Sequence, residues 1–211
     1  MAKKKGVDKE KNIDDILKSH VYWAVGAGLI PVPIVDIAAV TAIQLDMLKQ
    51  ICSFYDINYS EEKGKTWISA IASSTMSSIV ARIGASAVKS IPFIGTVVGA
   101  TSMAVISGAS TYALGKVFIK HFESGGTFDN LNKEKIKEFY NENLKEGKKV
   151  AKNLKERYLK LLKTPEGKEK ERNIGNRLKE IADLKKAGKI TEKEYEKRYQ
   201  EIIKNLMDND K

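Results

Sequence analysis

The sequence contains little cysteine and little histidine, two side chains on which much enzyme chemistry depends. Its 211 residues include one cysteine, Cys52, and two histidines, His20 and His121. A single cysteine excludes disulfide scaffolds and cysteine-based zinc sites, and it indicates a reducing compartment. No H-x-x-x-H or E-x-x-H spacing and no G-x-S-x-G motif occurs. We therefore predict no catalytic, cofactor-binding or metal-binding residues, expect Cys52 to be buried and inert, and expect both histidines at helix ends.

A complete nucleotide-binding loop is also missing. Gly64-Lys65-Thr66 matches the end of the Walker A pattern G-x-x-x-x-G-K-[ST], but Tyr59 occupies the position of the first glycine. No apolar strand precedes it. The glycines at 26 and 28 do not extend to G-x-G-x-x-G, because Pro31 stands at the third position. We predict that 64–66 forms the first turn of a helix.

Charge is absent from one long run. No charged residue occurs between Ser90 and Gly115, although 30% of the chain is charged. The run is long enough to cross a bilayer, for which about 20 apolar residues suffice. Small residues recur in it at four-residue spacing, which lets helix backbones approach closely. The predicted helix-packing or membrane-facing positions are Gly95, Gly99, Ala104, Gly108, Ala109 and Ala113.

Three polar side chains stand in apolar segments: Asp36, Gln44 and Arg82. If these segments enter lipid, the three are functional candidates, because polar groups are costly there. In the alternative, Asp36 caps a helix, and nearby Asp46 lies on a wet face and pairs with Lys49 one turn away. We favour the alternative.

The net charge of +10 indicates an acidic partner. Lysines and glutamates are interleaved in the last third, which favours solvated helices over a nucleic-acid interface. Basic ends around an apolar middle suit the anionic cytoplasmic leaflet of a membrane. The basic N-terminus leads into polar residues, so no secretory signal is predicted. We expect a location on the cytoplasmic side of the cell membrane or of an internal membrane, with the cytoplasm as the alternative.

Strand patterns are nearly absent, and the helical periodicity predicts an all-α fold of helical hairpins around an apolar, small-residue-rich bundle. Ser124-Gly125-Gly126 is the clearest boundary, because paired glycines end helices. The predicted organisation is a flexible basic arm at 1–12, an apolar helical domain at 13–126, a charged helix at 127–163, a linker at 164–173 and a helical hairpin at 174–211.

Two segments of the apolar domain resemble the DUF697 family, also called YcjF-like. The first segment, 24–57, contains in order a small-residue-rich helix, a P-x-P break, an Asp and an A-x-Q-x-x-M helix ending in Tyr. In 91–126 an I-P-x-x-G start precedes T-Y-x-L-G and F-x-x-G-G. Ile34-Val35 departs from the family, which often has Gly-Ala there. The residues of the first pattern are Pro31, Pro33, Asp36, Ala42, Gln44, Met47 and Tyr55.

The DUF697 resemblance implies a membrane-proximal protein that works with an Era-like or dynamin-like GTPase. No GTPase domain is recognised in these residues, so the resemblance implies a partner of the GTPase and not the GTPase itself.

The C-terminal hairpin resembles the SHOCT module, whose pattern is L-x-x-L-x-x-x-G-x-I-T-x-x-E-[FY]. The first position departs, with Ile181 in place of leucine. The resemblance implies oligomerisation or docking, and so a possible homo-oligomer. A hairpin this small gains stability by packing against another copy or the parent domain. The predicted positions are Leu184, Gly188, Ile190 and Tyr195.

Two functions follow as hypotheses. The first is a non-enzymatic, membrane-associated helical scaffold or adaptor that works with a GTPase. The second is a soluble all-α module that oligomerises or binds a protein partner. An enzyme is disfavoured, because no constellation of nucleophile, base or metal ligands is present in the sequence.

Overall fold

The computed structural model describes residues 2–29, 36–71 and 97–208, and every regular element in these ranges is a helix. The prediction of an all-α fold is therefore confirmed. The helices are α1 (Ala2–Ala27), α2 (Asp36–Phe54), α3 (61–71), α4 (Val97–Glu123), α5 (Lys133–Leu161), α6 (Pro165–Lys186) and α7 (Glu192–Asp208).

Helix α4 lies at the centre and packs against α1, α2 and α5. Its second half joins α1, α2 and α5 in one core cluster, which includes Leu17, Met47 and Phe118. The first half of α4 belongs to a second core cluster, which includes Val25 and Tyr158. This cluster also contains residues from the end of α1, the second half of α5 and the C-terminal helices. The uncharged run of the sequence is thus packed on several sides where the structure describes it.

Helix α1 begins before its predicted start. Residues 2–12 were predicted to be a flexible arm, but they continue α1 as helix. Lysine, which makes up five of the eleven residues 2–12, has high intrinsic helix propensity.

Three helix ends or turns are set by residues at the ends themselves. Ser60 caps α3, because its Oγ accepts a hydrogen bond from the amide of Lys63 at 3.3 Å. Gly125 ends α4 at φ 78°, and Gly188 turns the hairpin at φ 68°. Glycine adopts these left-handed angles without the steric cost that a Cβ brings.

The predicted linker at 164–173 is wrong, because α6 already begins at Pro165. The Thr164 hydroxyl accepts a hydrogen bond from the amide of Gly167 at 3.0 Å, so Thr164 is the N-cap. Proline suits the first helical position, where its missing N–H would have no helical partner. The sequence Thr-Pro-Glu-Gly is therefore a helix start, and the connection from α5 is a tight turn.

We expect Thr164→Ala to lower the free energy of unfolding by about 1 kcal/mol, because the Gly167 amide loses its acceptor. Thr164→Ser keeps the hydroxyl and is the matched control. Chemical denaturation of the three proteins measures the difference. Equal stability of the alanine and serine variants would contradict the assignment of Thr164 as the N-cap of α6.

Some predicted positions lie outside the described residues: Gly95, Arg82, Pro31 and Pro33. Asp36 is the first described residue of α2, and Gly99 lies in the first turn of α4.

Candidate functional site

The small residues of α4 lie where neighbouring helices come closest. Ala104, Ala109 and Ala113 are fully buried. At the end of α1, a Cβ added to Gly28 would lie 2.6 Å from the Cα of Ala104. Such a distance is too short for any side chain, so glycine is required where α1 meets α4.

The contact between α4 and α5 is equally close. A Cβ added to Gly147 of α5 would lie 2.7 Å from the carbonyl oxygen of Ala109, and one added to Gly108 would lie 2.9 Å from the Cβ of Ala151. Small residues on both helices therefore face each other along one line. We call Gly108, Ala109, Gly147 and Ala151 the α4–α5 seam.

A polar contact joins α2 to α4 inside this packing. The buried Gln44 amide donates to Ser110 Oγ and to Thr111 Oγ1, both at 3.2 Å. Thr111 is fully buried, and Ser110 also donates to the Ser107 carbonyl at 3.0 Å. Because a buried amide without partners is costly, these hydroxyls fix the position of α2 along α4.

A second polar contact joins α1 to α2. His20 is fully buried, and its Nε2 lies 3.0 Å from Asp46 Oδ2. Its Nδ1 lies 2.7 Å from the Ile16 carbonyl oxygen. Gln50 donates to the same carboxylate oxygen at 2.7 Å. The ring of Trp23 packs against the imidazole with centroids 4.4 Å apart.

The partners of His20 include both acceptors and donors. The Ile16 carbonyl and the Asp46 carboxylate only accept hydrogen bonds, whereas Ser19 Oγ and Gln50 Nε2, each 3.4 Å from a ring nitrogen, can also donate. The short contact between Nε2 and the carboxylate makes this a hydrogen-bonded His–Asp pair that joins α1 to α2. The hydrogen bond from His20 lowers the pKa of Asp46, with burial acting in the opposite direction and the charges of His20 and Lys49 adding to the lowering.

The predictions for this pair were wrong. His20 lies in the interior of α1 and not at a helix end, and Asp46 bonds to His20 and Gln50 instead of forming a surface pair with Lys49. A signal was present in the sequence, since His20 shares the apolar helix face of Leu17 and Val21. A histidine on such a face needs a buried acceptor, and Asp46 is the acid inside the apolar part of α2.

Gly64 and Cys52 behave as predicted. Gly64 lies in the first turns of α3 and donates to the Ser60 carbonyl, so it starts a helix and forms no phosphate loop. Cys52 is fully buried in the core, and desolvation raises the pKa of its thiol to about 12. A thiol that stays protonated at neutral pH is a poor nucleophile.

The C-terminal hairpin packs on the rest of the chain. Tyr195 and Tyr199 are buried and share a core cluster with Val25, Ala104 and Tyr158. Of the other predicted oligomerisation positions, Leu184 and Ile190 are half-buried and Gly188 is exposed at the turn. Thr191 caps α7 by accepting a hydrogen bond from the Glu194 amide at 3.2 Å. The parent domain therefore covers the apolar face of the hairpin.

Within 2–29, 36–71 and 97–208, no helix has both the length and the hydropathy needed to span a bilayer. The uncharged run extends beyond these ranges on its N-terminal side.

Comparison with known proteins places this helical arrangement in a family. Magnetosome membrane protein 22 of Magnetospirillum gryphiswaldense is 36% identical over 152 residues, which cover 72% of this chain and 78% of that protein. No solved structure matches the chain. The profile of the domain of unknown function DUF697 matches residues 8–149, which include most of α1, all of α2 to α4, both polar contacts and three of the four residues of the α4–α5 seam. The chain therefore belongs to the DUF697 family.

Proposed function

We propose that this protein is a non-enzymatic, membrane-associated helical scaffold or adaptor that works with an Era-like or dynamin-like GTPase. The observation that carries the membrane part is the relative named as a magnetosome membrane protein, which shares 36% identity over most of both chains. The family resemblance suggests the GTPase.

The uncharged run supports a role at a membrane. It continues from 90 into α4, and its small residues Ala104, Gly108 and Ala109 allow the tight helix packing described above. An apolar bundle of this kind can hold a second apolar surface against lipid while its own interior stays closely packed. The basic termini would then remain on the cytoplasmic face.

One observation favours a second candidate, a soluble interaction module. In the described part of α4, Ala109, Ala113 and Phe118 are buried by other helices of the same chain. A helix buried on all sides is apolar all round without any contact with lipid. The two candidates therefore differ in what the remainder of the uncharged run contacts.

Fractionation of lysed cells that express the native protein tests the proposal. The membrane pellet is washed with high salt, then with alkaline carbonate, then with detergent. We expect the protein in the pellet, with release by salt if the attachment is electrostatic and by detergent if apolar segments are inserted. Recovery in the first supernatant would overturn the membrane role and support the soluble module.

The GTPase partner needs a separate test. The protein is immobilised and exposed to purified Era-like and dynamin-like GTPases of the same organism, loaded with GDP or with a non-hydrolysable GTP analogue. We expect one of them to bind with a preference for one nucleotide state. Binding of neither in either state would remove the GTPase from the proposal and leave the membrane role untouched.

A further inference from the structure

The basic charge of the C-terminal third is concentrated in one short segment. Residues 145–163 hold eight lysine and arginine side chains and two acidic ones, while the rest of 121–211 holds sixteen of each sign. The whole positive excess of this third therefore lies in the second half of α5 and the turn after it.

Five lysines of this segment share one face of α5. At 100° per residue they fall within an arc of about 120°. Four are exposed and Lys155 is half-buried. We call them the lysine face, which consists of Lys145, Lys148, Lys149, Lys152 and Lys155.

The lysine face is not neutralised within the described ranges of the chain. The ion pairs found there join other residues, such as Lys63 to Asp129 and Lys185 to Glu192. Of the two acids in 145–163, Glu146 lies off the face near Tyr112 of α4, and the exposed Glu156 follows Lys152 by one turn at the end of the face, so one acid accompanies the five lysines. Five like charges in one stripe repel one another, and an anionic partner removes that repulsion.

The lysine face lies beside the uncharged half of α4. The α4–α5 seam sets this register, because Gly147 contacts Ala109 and Ala151 contacts Gly108. Ile106 stands on the same half of α4 and is 47% exposed, the one exposed large hydrophobic side chain among those the structure describes. The lysine face and this one exposed apolar side chain therefore lie at the same end of the helix pair.

We propose that the lysine face of α5 binds the anionic headgroups of a lipid bilayer. Cationic stripes beside apolar surface are typical of helices that lie on membranes, where charge attraction and apolar burial act together. An interface for single-stranded nucleic acid would pair the lysines with exposed aromatic side chains for base stacking, and 145–155 contains no aromatic residue. The inference rests on the proposed membrane role and names the surface that carries it.

Vesicle co-flotation of the full chain tests the inference. Phosphatidylcholine vesicles with phosphatidylglycerol are compared with vesicles of phosphatidylcholine alone. The variant carries Lys145→Gln, Lys148→Gln, Lys149→Gln and Lys152→Gln. The control carries Lys168→Gln, Lys179→Gln, Lys186→Gln and Lys189→Gln, which removes the same charge from exposed positions of α6 and the turn after it.

We expect the wild type to bind anionic vesicles and to lose binding as salt rises, because added ions screen exposed charges. Each lysine near an anionic surface strengthens binding about fivefold, so the loss of four lysines should weaken binding by about 600-fold. The control should lose less than about tenfold in affinity for anionic vesicles, since only its long-range attraction to the surface changes. Circular dichroism checks that both remain folded.

Other outcomes overturn the inference in distinguishable ways. Equal losses in variant and control would mean that net charge and not this face matters. Equal, salt-independent binding to both vesicles would assign attachment to apolar segments and leave the proposed membrane role intact. Binding to neither vesicle would overturn the proposal that the lysine face binds lipid headgroups. Cell fractionation decides the membrane role separately. Tighter, lysine-dependent binding to a DNA duplex than to vesicles would identify a nucleic-acid interface.

Discussion

Replacing Gly147 with leucine is expected to lower the free energy of unfolding by about 3 kcal/mol or more. Replacing Gly175 with leucine is expected to raise it by about 0.5–1 kcal/mol. Both glycines lie inside helices rich in charged residues, and the sequence alone gives no reason for them to differ. The opposite signs follow from what a side chain would meet in the folded protein.

At Gly147 a Cβ would lie 2.7 Å from the carbonyl oxygen of Ala109 and 3.1 Å from its Cα. These are backbone atoms of the central helix, so a rotamer change cannot relieve the clash. Helices α4 and α5 would have to separate, which opens gaps along the seam. At Gly175 nothing lies within 4 Å of the added Cβ, so the variant there gains helix propensity without a clash.

Urea denaturation of the four variants with alanine or leucine at each position measures the contrast. Alanine at Gly147 should cost about 1–2 kcal/mol, because the clash exceeds the gain of about 1 kcal/mol in helix propensity. An alanine variant at Gly147 that is as stable as the wild type would show that α4 and α5 do not approach as described. A destabilised Gly175→Ala variant would mean that an unseen neighbour covers α6.

Gly147 also shows which part of the packing the sequence can reveal. The small residues Ala104, Gly108 and Ala109 stand out because they recur in an uncharged run. Their partner on α5 does not stand out, because it sits between Glu146 and Lys148 in a strongly charged helix. Periodicity identifies the face that one helix buries, but which residue of another helix meets it depends on a register that the chain sets only when folded.

Local sequence signals predict the ends of helices more reliably than they predict contacts between helices. Ser60, Gly125 and Gly188 act through their own backbone neighbours, so a short window of sequence suffices to predict them. The two predictions that proved wrong at helix starts are those at 1–12 and at 164–173. Lysine favours helix in the first stretch, and in the second the Thr-Pro pair marks a helix start.

The sequence shows how many lysines α5 carries, but it does not show what surface lies beside them. A charge run is by itself compatible with an ordinary solvated helix. Its significance comes from the seam, which places Ala151 beside Gly108 and so brings the lysines next to the uncharged half of α4. Tertiary structure therefore converts two separate compositional features into one surface.

Replacing Asp46 with alanine is expected to lower the free energy of unfolding at neutral pH by about 2–3 kcal/mol. Leaving a buried hydrogen-bond donor without its acceptor typically costs about 1–3 kcal/mol, and the acceptor lost here is a charged group, which forms the stronger hydrogen bonds. His20 would remain fully buried with its Nε2–H facing no acceptor. His20→Leu should cost less, about 1 kcal/mol, because the carboxylate it leaves keeps the Gln50 amide and access to water.

Thermal and urea unfolding of both variants and of the double variant measures the coupling between the two side chains. Asp15→Ala on the exposed side of α1 is the matched control and should change stability by less than about 0.5 kcal/mol. Equal costs for Asp46→Ala and Asp15→Ala would show that the pair contributes nothing. Additive effects in the double variant would show that His20 and Asp46 act independently.

The pH dependence of the same difference tests the charge state. The hydrogen bond from His20 lowers the pKa of Asp46 below its ordinary value of 3.8. A carboxyl group with a lowered pKa in the folded state stabilises the protein above the unfolded pKa and loses that contribution as pH falls through the folded pKa. The stability gap between wild type and Asp46→Ala should therefore shrink as pH falls below 3.8 and through the lowered pKa of Asp46. A gap that widens on acidification would contradict the lowered pKa of Asp46.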